Sequence, residues 1–223
     1  MKEGAWRGLR PNILPHVPQN ALKRAALSAR ICIMLDIVKL GDELLRQKSQ
    51  PVAEVTDEIR ALCDDMFETM IAAEGVGLAG PQVGRLLRLF VVIADDNVRR
   101  VFINPQIIAT SPDLCDYDEG CLSIPKIYES ITRPAKVTVQ ALNEHGKPFT
   151  LEADGFLARV IQHEYDHLDG ILYIDRGDPE FARKAAETMR RRAERAEKKK
   201  AEKAARNARI AAKKTARASK KKA

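Results

Sequence analysis

The sequence predicts an α+β fold: antiparallel strands packed around a central helix that carries His163-Glu164-Tyr165-Asp166-His167, with a basic helical tail behind it. Three observations predict it. Short runs rich in β-branched residues follow one another between residues 89 and 151. Two other stretches repeat apolar residues at the three-and-four spacing of an amphipathic helix, and the chain from Arg183 onward is built of Ala, Lys, Arg and Glu.

Residues 1–33 place Pro11, Pro15 and Pro18 among basic residues with no sustained period, which predicts an irregular basic extension and makes Met34 a candidate start. An acid-poor, Arg-containing N-terminus also reads as an organelle transit peptide, although this one is poor in Ser. After Thr56, the residues Ile59, Leu62, Cys63, Met66, Phe67 and Met70 fall on one face of a helix, so Cys63 is expected in the core. The glycine-rich run from Gly75 to Gly84 leads into a buried strand, Leu89 to Ile93. A strand at Val101-Phe102-Ile103 is expected to end at Asn104-Pro105. Strands at 137–142 and 149–151 flank a turn, Asn143-Glu144-His145-Gly146, which makes a hairpin with His145 as a turn residue. The central helix is framed by Asp154 as N-cap and Gly170 as a left-handed stop, with Phe156, Leu157, Val160 and Ile161 as its apolar stripe. In the tail, Glu187 with Arg191, Glu194 with Lys198 and Glu202 with Arg206 are favourable pairs one turn apart. Beyond Ala its only apolar residues are Met189 and Ile210, which predicts a solvated, partly frayed helix or a disordered segment, with no stripe to bury.

A chain of 223 residues can bury one sizeable core. The expected division is an extension over 1–33, a globular domain over 34–177 and a tail over 178–223. Charge follows the same division. From Arg183 on there are 18 Lys and Arg against 4 Glu, a net of +14; residues 1–33 carry +5, so the +7 of the whole chain leaves −12 on residues 34–182. Such a basic tail reads as drawn to phosphate, the alternative being a solubilising tail with no partner. Cys32, Cys63, Cys115 and Cys121 form no CxxC pair and no secretory pattern is present, so reduced thiols in the cytoplasm are expected. No apolar run approaches the ~20 residues of a membrane helix, and no membrane partner is expected.

The chemistry concentrates in the helix at 163–167. At ~3.6 residues per turn, His163 and His167 project from one face and can grip one metal ion, while Glu164 points toward the metal's open position, where a carboxylate takes a proton from water. A catalytic metal of this kind usually has three protein ligands. A third His at position 173, after the matching Gly170, would suit one class of peptidase, but that residue is Tyr173. Another class uses a Glu downstream; Glu187 lies there, yet pairing with Arg191 explains it without a metal. Cys121, within Glu119-Gly120-Cys121-Leu122-Ser123, is the better candidate, since a thiolate binds zinc or ferrous iron strongly.

The order Gly75-Val76-Gly77-Leu78-Ala79-Gly80-Pro81-Gln82, then Glu119-Gly120-Cys121-Leu122-Ser123, then Gln162-His163-Glu164-Tyr165-Asp166-His167 resembles the peptide deformylases over roughly residues 34–177. The resemblance implies removal of the formyl group from the N-terminal formylmethionine of new polypeptides. It implies one divalent metal per chain on Cys121, His163 and His167, ferrous iron foremost, with zinc, nickel or cobalt as substitutes. Glu164 is then the general acid/base, and the Gln82 side chain and Leu122 backbone N–H are oxyanion donors. Gly75 and Gly77 would let a peptide backbone lie close, and Val76 with Leu122 would flank an apolar pocket for methionine. The tail looks like an enlarged form of the C-terminal helix by which bacterial members reach the ribosome, implying ribosomal RNA or protein near the exit tunnel as partner. Two departures stand out: Gly80 where the family has Ala, and Tyr128 where a basic residue is common. Rival classes are a peptidase cleaving internal bonds, which Cys121 argues against, and a non-catalytic ribosome-binding protein, which would have no use for Glu164 beside two metal ligands.

Overall fold

The structure is a computed structural model that describes residues 33–220, with side chains to Ala208. The expected extension over 1–33 therefore lies, but for Ile33, outside the described residues. Helix α1 spans Asp57–Ala72, with Thr56 at its N-cap. Seven strands follow: β1 Gly77–Ala79, β2 Leu89–Ile93, β3 Arg99–Thr110, β4 Leu114–Cys121, β5 Ile124–Pro134, β6 Lys136–Leu142 and β7 Pro148–Asp154. Helix α2 spans Gly155–Leu168 and α3 spans Pro179–Lys220. Every paired strand is antiparallel. Five form one sheet in the order β1-β2-β3-β6-β7, and β4-β5 make a separate hairpin.

The alternation along β2 divides the core. Leu89 and Val91 face α1, where they meet Cys63, Met66, Phe67 and Met70, while Phe90 and Val92 face α2 with Ala158, Val160 and Ile161. Phe90 stacks on Phe102 of β3 at 4.7 Å between ring centroids, within that second layer. Both faces of this sheet are thus covered. The other side of α2 meets the β4-β5 hairpin: Gln162 donates to the Pro134 carbonyl, and Arg159 to the carbonyls of Ile131 and Cys115.

Local chemistry explains the ends of α2. Asp154 occupies the N-cap position, although its side chain makes no capping bond. At the other end Gly170 has φ +73°, and a Cβ there would meet the Arg46 carbonyl oxygen at 2.4 Å, so both conformation and space demand glycine.

Three elements differ from expectation. Strand β3 does not end at Asn104-Pro105 but bulges there, with Asn104 at φ +50° and a register shift between Ile103 and Gln106. The Asn104 side chain bonds both the N–H and the carbonyl of Val52, which holds the bulge. The β4-β5 hairpin was not anticipated. Its alternate residues, including Asp116, Asp118, Lys126 and Ser130, are polar and exposed, so no apolar run announces it. Finally, α3 does bury a stripe. Ala185 and Met189 are buried, with Phe181 and Ala182 packed beside them against Ile124, Tyr173 and Leu45. Those positions recur at one-turn spacing, but the stripe begins before Arg183, ahead of the basic composition that dominates the segment. Farther along, Glu187 pairs with Arg191 as expected, whereas Glu194 pairs backward with Arg190.

Candidate active site

Three segments converge beside α2. Helical spacing brings the His163 and His167 rings to 5.2 Å between centroids, and the end of β4 brings Cys121 to them. The Cys121 sulfur and one nitrogen of each histidine lie within 4.8 Å of one another. Cys121 Sγ is 3.3 Å from His167 Nε2. Among the described residues this is the one such cluster of His, Cys, Asp and Glu side chains. Glu187 is in its ion pair on α3, and His145 is exposed in the β6-β7 turn. Position 173 has another job: the Tyr173 ring stacks on His163 and its hydroxyl donates to the Ile127 carbonyl.

Glu164 is 4 % exposed, and its Oε2 has no hydrogen-bond partner. Burial pushes its carboxyl up to about 7, an effect the charge of His163 partly offsets. Gly77 on β1 lies directly against it: a Cβ there would sit 2.3 Å from Glu164 Oε1. Gly75 likewise makes room for the Leu122 side chain, at 2.6 Å. The two glycines therefore already have packing reasons within the protein.

Gln82 is buried in the short 3-10 turn Gly80–Val83. Its Oε1 accepts from Ala79 N–H at 2.8 Å, which fixes the amide so that Nε2 faces Cys121 Sγ at 3.3 Å and Ser123 Oγ at 3.2 Å. A strap at residues 38–40 ties this turn to the β4-β5 turn. Val38 N–H donates to the Gln82 carbonyl, Leu40 N–H to the Ser123 carbonyl, and Lys39 Nζ to the Leu122 carbonyl. Leu122 and Gln82 are thereby held on opposite sides of one stitched seam.

Behind the cluster lies a buried charged network whose roles sequence reasoning did not assign. Glu119 Oε2 is 2.8 Å from His163 Nδ1, and Arg133 grips Glu119 with Nε and Nη2 at 2.6 and 2.9 Å. Arg159 is a third partner, at 3.0 Å. Burial alone would raise the Glu119 carboxyl, but bonds from His163 and Arg133 outweigh it and hold it well below the usual carboxylate range. A carboxylate there accepts the Nδ1 proton of His163 and leaves Nε2 to coordinate. Burial also works against a charged His163, yet Cys121 and Glu119 keep its affinity for a proton high; His167, buried with His163 and Arg133 nearby, has its own pulled well down. Thiol and imidazole ligands give up their protons when they bind a cation, so metal uptake at such a cluster is coupled to proton release. The donor set, one sulfur and two imidazoles with a carboxylate orienting the first ring, suits a transition metal.

The sequence profile of the polypeptide deformylase family matches residues 34–183. The chain belongs to the polypeptide deformylases. It is 56 % identical over 144 residues to a peptide deformylase of Treponema pallidum (strain Nichols), covering 65 % of this chain and 88 % of that one. The crystal structure of peptide deformylase from Ehrlichia chaffeensis superposes with TM-score 0.71 at 34 % identity, over 73 % of this chain and 98 % of that one. The Synechococcus elongatus deformylase in complex with actinonin gives 0.66 at 42 %, over 70 % and 87 %. Polypeptide deformylases are metal-dependent hydrolases of N-formylmethionyl peptides, and the antiparallel α+β architecture is theirs. Glu119 stands two places before the metal-binding candidate Cys121, a weak hint in sequence, whereas its pairing with Arg133 becomes visible only once the β4-β5 hairpin is formed.

Proposed function

We propose that the chain deformylates newly made polypeptides at the centre formed by Cys121, His163, His167, Glu164, Gln82 and Leu122. Deformylation itself is the activity of the family to which it belongs. The assignment of roles rests chiefly on one observation: Glu164, buried with its Oε2 unpartnered, is the chain neighbour of His163 in a cluster of one thiol and two imidazoles.

In this reading Cys121, His163 and His167 hold one divalent ion, ferrous iron in preference to zinc, nickel or cobalt, and α2 is the central scaffold of the site. When bound, that ion supplies Lewis acidity to water and to the formyl oxygen. Glu164 accepts the proton of the attacking water at its free carboxylate oxygen and returns it to the departing amine nitrogen. Gln82 Nε2 exchanges its long contacts to Cys121 and Ser123 for the developing oxyanion, and the Leu122 N–H donates from the other side of the seam. Both donors are preset, Gln82 by its bond from Ala79 and Leu122 by the strap at 38–40, so little reorganisation accompanies the reaction. The methionine side chain takes the apolar space between Val76 and Leu122, with the peptide backbone passing Gly77.

The described residues contain no helix long and apolar enough to cross a membrane. We read the chain as a cytoplasmic catalytic domain over 34–177, preceded by a basic extension at 1–33 and followed by a tail at 178–223 whose first turns, through Met189, dock on that domain and belong to its packing. The tail carries the enzyme to ribosomal RNA or protein near the exit tunnel, where its substrates emerge.

One experiment tests the catalytic reading: formate release from formyl-Met-Ala-Ser by protein purified without oxygen, with metal analysis on the same sample. Iron near one equivalent and activity that decays in air are expected, because a thiolate beside ferrous iron invites oxidation. Cleavage of the unformylated peptide instead would restore the peptidase reading, and aerobically stable protein holding zinc alone would reject iron.

A further inference from the structure

We infer that the stretch from Arg176 to Arg192, which joins the end of the catalytic domain to the foot of the tail, is a positioning element for the metal-holding side chains, so that how tightly the metal is retained depends on residues that never touch it. The inference rests on the metal reading above. Two independent sets of contacts carry it.

The first is an unbroken line of ion pairs. Arg176 follows the 3-10 turn Tyr173–Asp175 and precedes α3; it grips Asp166 with two nitrogens, Nε at 2.5 Å and Nη2 on the other oxygen. Asp166 also receives Arg133 Nη1 at 2.6 Å, Arg133 holds Glu119, and Glu119 meets His163 Nδ1. Asp166, Arg133 and Glu119 are no more than 4 % exposed, so each depends on its neighbours to offset desolvation. Arg176 is the solvent end of the line, with a side chain 42 % exposed. Without it Asp166 keeps only Arg133, and the guanidinium that orients Glu119 is drawn toward a carboxylate that has lost its other cation.

The second set reaches the thiol. Ala185 and Met189 on α3 pack in one cluster with Ile124 and Tyr173, and Cys121 borders that cluster. Arg192 Nη1 donates to the Pro125 carbonyl at 2.6 Å, just past the turn that carries Cys121 and Leu122. Glu129 closes the corner: its Oε1 accepts the Asp178 N–H at 2.9 Å as α3 begins. The same short stretch of chain thus braces His163 through charge and Cys121 through packing.

The test uses the full chain loaded with cobalt(II), whose absorption reports the geometry of thiolate and imidazole ligands, and follows loss of those bands after excess EDTA is added. Partners beyond the ligands typically change metal affinity by about 10 to 100-fold when removed. Arg176→Ala is expected to speed release by about 10-fold and to shift the bands, Arg176→Lys to fall between it and the wild type, and Arg192→Ala to speed release by about 2 to 3-fold. Lys199→Ala, out on the exposed part of α3, should match the wild type. Thermal unfolding of each metal-free variant is measured in parallel. If Arg176→Ala lowers metal-free stability while release and bands stay as in the wild type, its role is structural and the inference is overturned. Should Arg176→Ala not fold, Arg176→Lys decides by the same criteria. A wild type that takes up no cobalt would instead overturn the metal reading itself.

Discussion

At Glu164 the peptide chain does something it ordinarily avoids: it buries a carboxylate and leaves one oxygen without a donor. A group held that way is suited to proton transfer, and removing it should not empty the metal site. Glu164→Ala is expected to retain metal by elemental analysis and to lose roughly 10²-fold or more in turnover; loss of metal would make it a ligand. Gln82→Ala should lower turnover by about 10 to 10³-fold with little change in the Michaelis constant, since its amide is engaged mainly in the transition state. An effect confined to the Michaelis constant would leave Gln82 as a turn residue. Gly77 offers a subtler probe, because Gly77→Ala thrusts a methyl into the Glu164 carboxylate and should depress turnover while the protein remains folded. Residues of this kind were legible in sequence because the chemistry needs particular side chains at fixed spacing. Glu119, Arg133 and Asp166 were not, since a buried charge reads like a surface one until its partners, 10 or more residues away, are known. Gly80 shows the same limit. Its departure from the family pattern suggests added freedom, but a Cβ there would meet the carbonyl oxygens of Arg85 and Leu87 at 2.7 Å, so it is a point of close backbone approach.

Among elements, α1 and the β6-β7 hairpin were readable because periodicity and turn residues agree with the final packing. The β4-β5 hairpin, which carries Cys121, was not, because it packs through Glu119, Ile124, Ile131 and Arg133 rather than through an apolar run. The thiols give an element-level test. Burial in the α1 layer pushes the Cys63 thiol up to about 12, so it stays protonated in the native state at pH 8, whereas Cys115 is exposed. A thiol reagent at pH 8 should therefore modify Cys115 and spare Cys63 until the protein unfolds; rapid native labelling of Cys63 would contradict the packing of α1. The linkage has a definite sign. The native state holds this proton where the unfolded chain, with an ordinary value of 9.0, releases it, so the contribution is whole below pH 9 and declines as pH rises toward 12.

For the whole molecule, the boundary between body and tail is not where composition changes. The expected boundary at residue 178 would cut away Ala185 and Met189, which are 3 % and 6 % exposed. Truncation after Ala193 is therefore predicted to leave deformylation of a short formyl-peptide and the melting temperature nearly unchanged, while co-sedimentation with ribosomes at low salt is lost. Truncation after Pro179 should lower the melting temperature as well. Equal ribosome binding by the chain ending at Ala193 would move that contact to the catalytic body. In the full chain, binding should weaken steeply with added salt, as expected when lysines and arginines displace counterions from RNA.

Because α3 runs without a break from its docked foot to Lys220, the charged part is not a leash. Beyond Arg192 it adds roughly 40 Å at ~1.5 Å per residue, and a helix of that length resists bending. A partner that clasped its outer end would consequently set a heading as well as a distance: the cluster of Cys121, His163 and His167 would swing with the helix, like the bucket on a boom, to one bearing relative to that anchor.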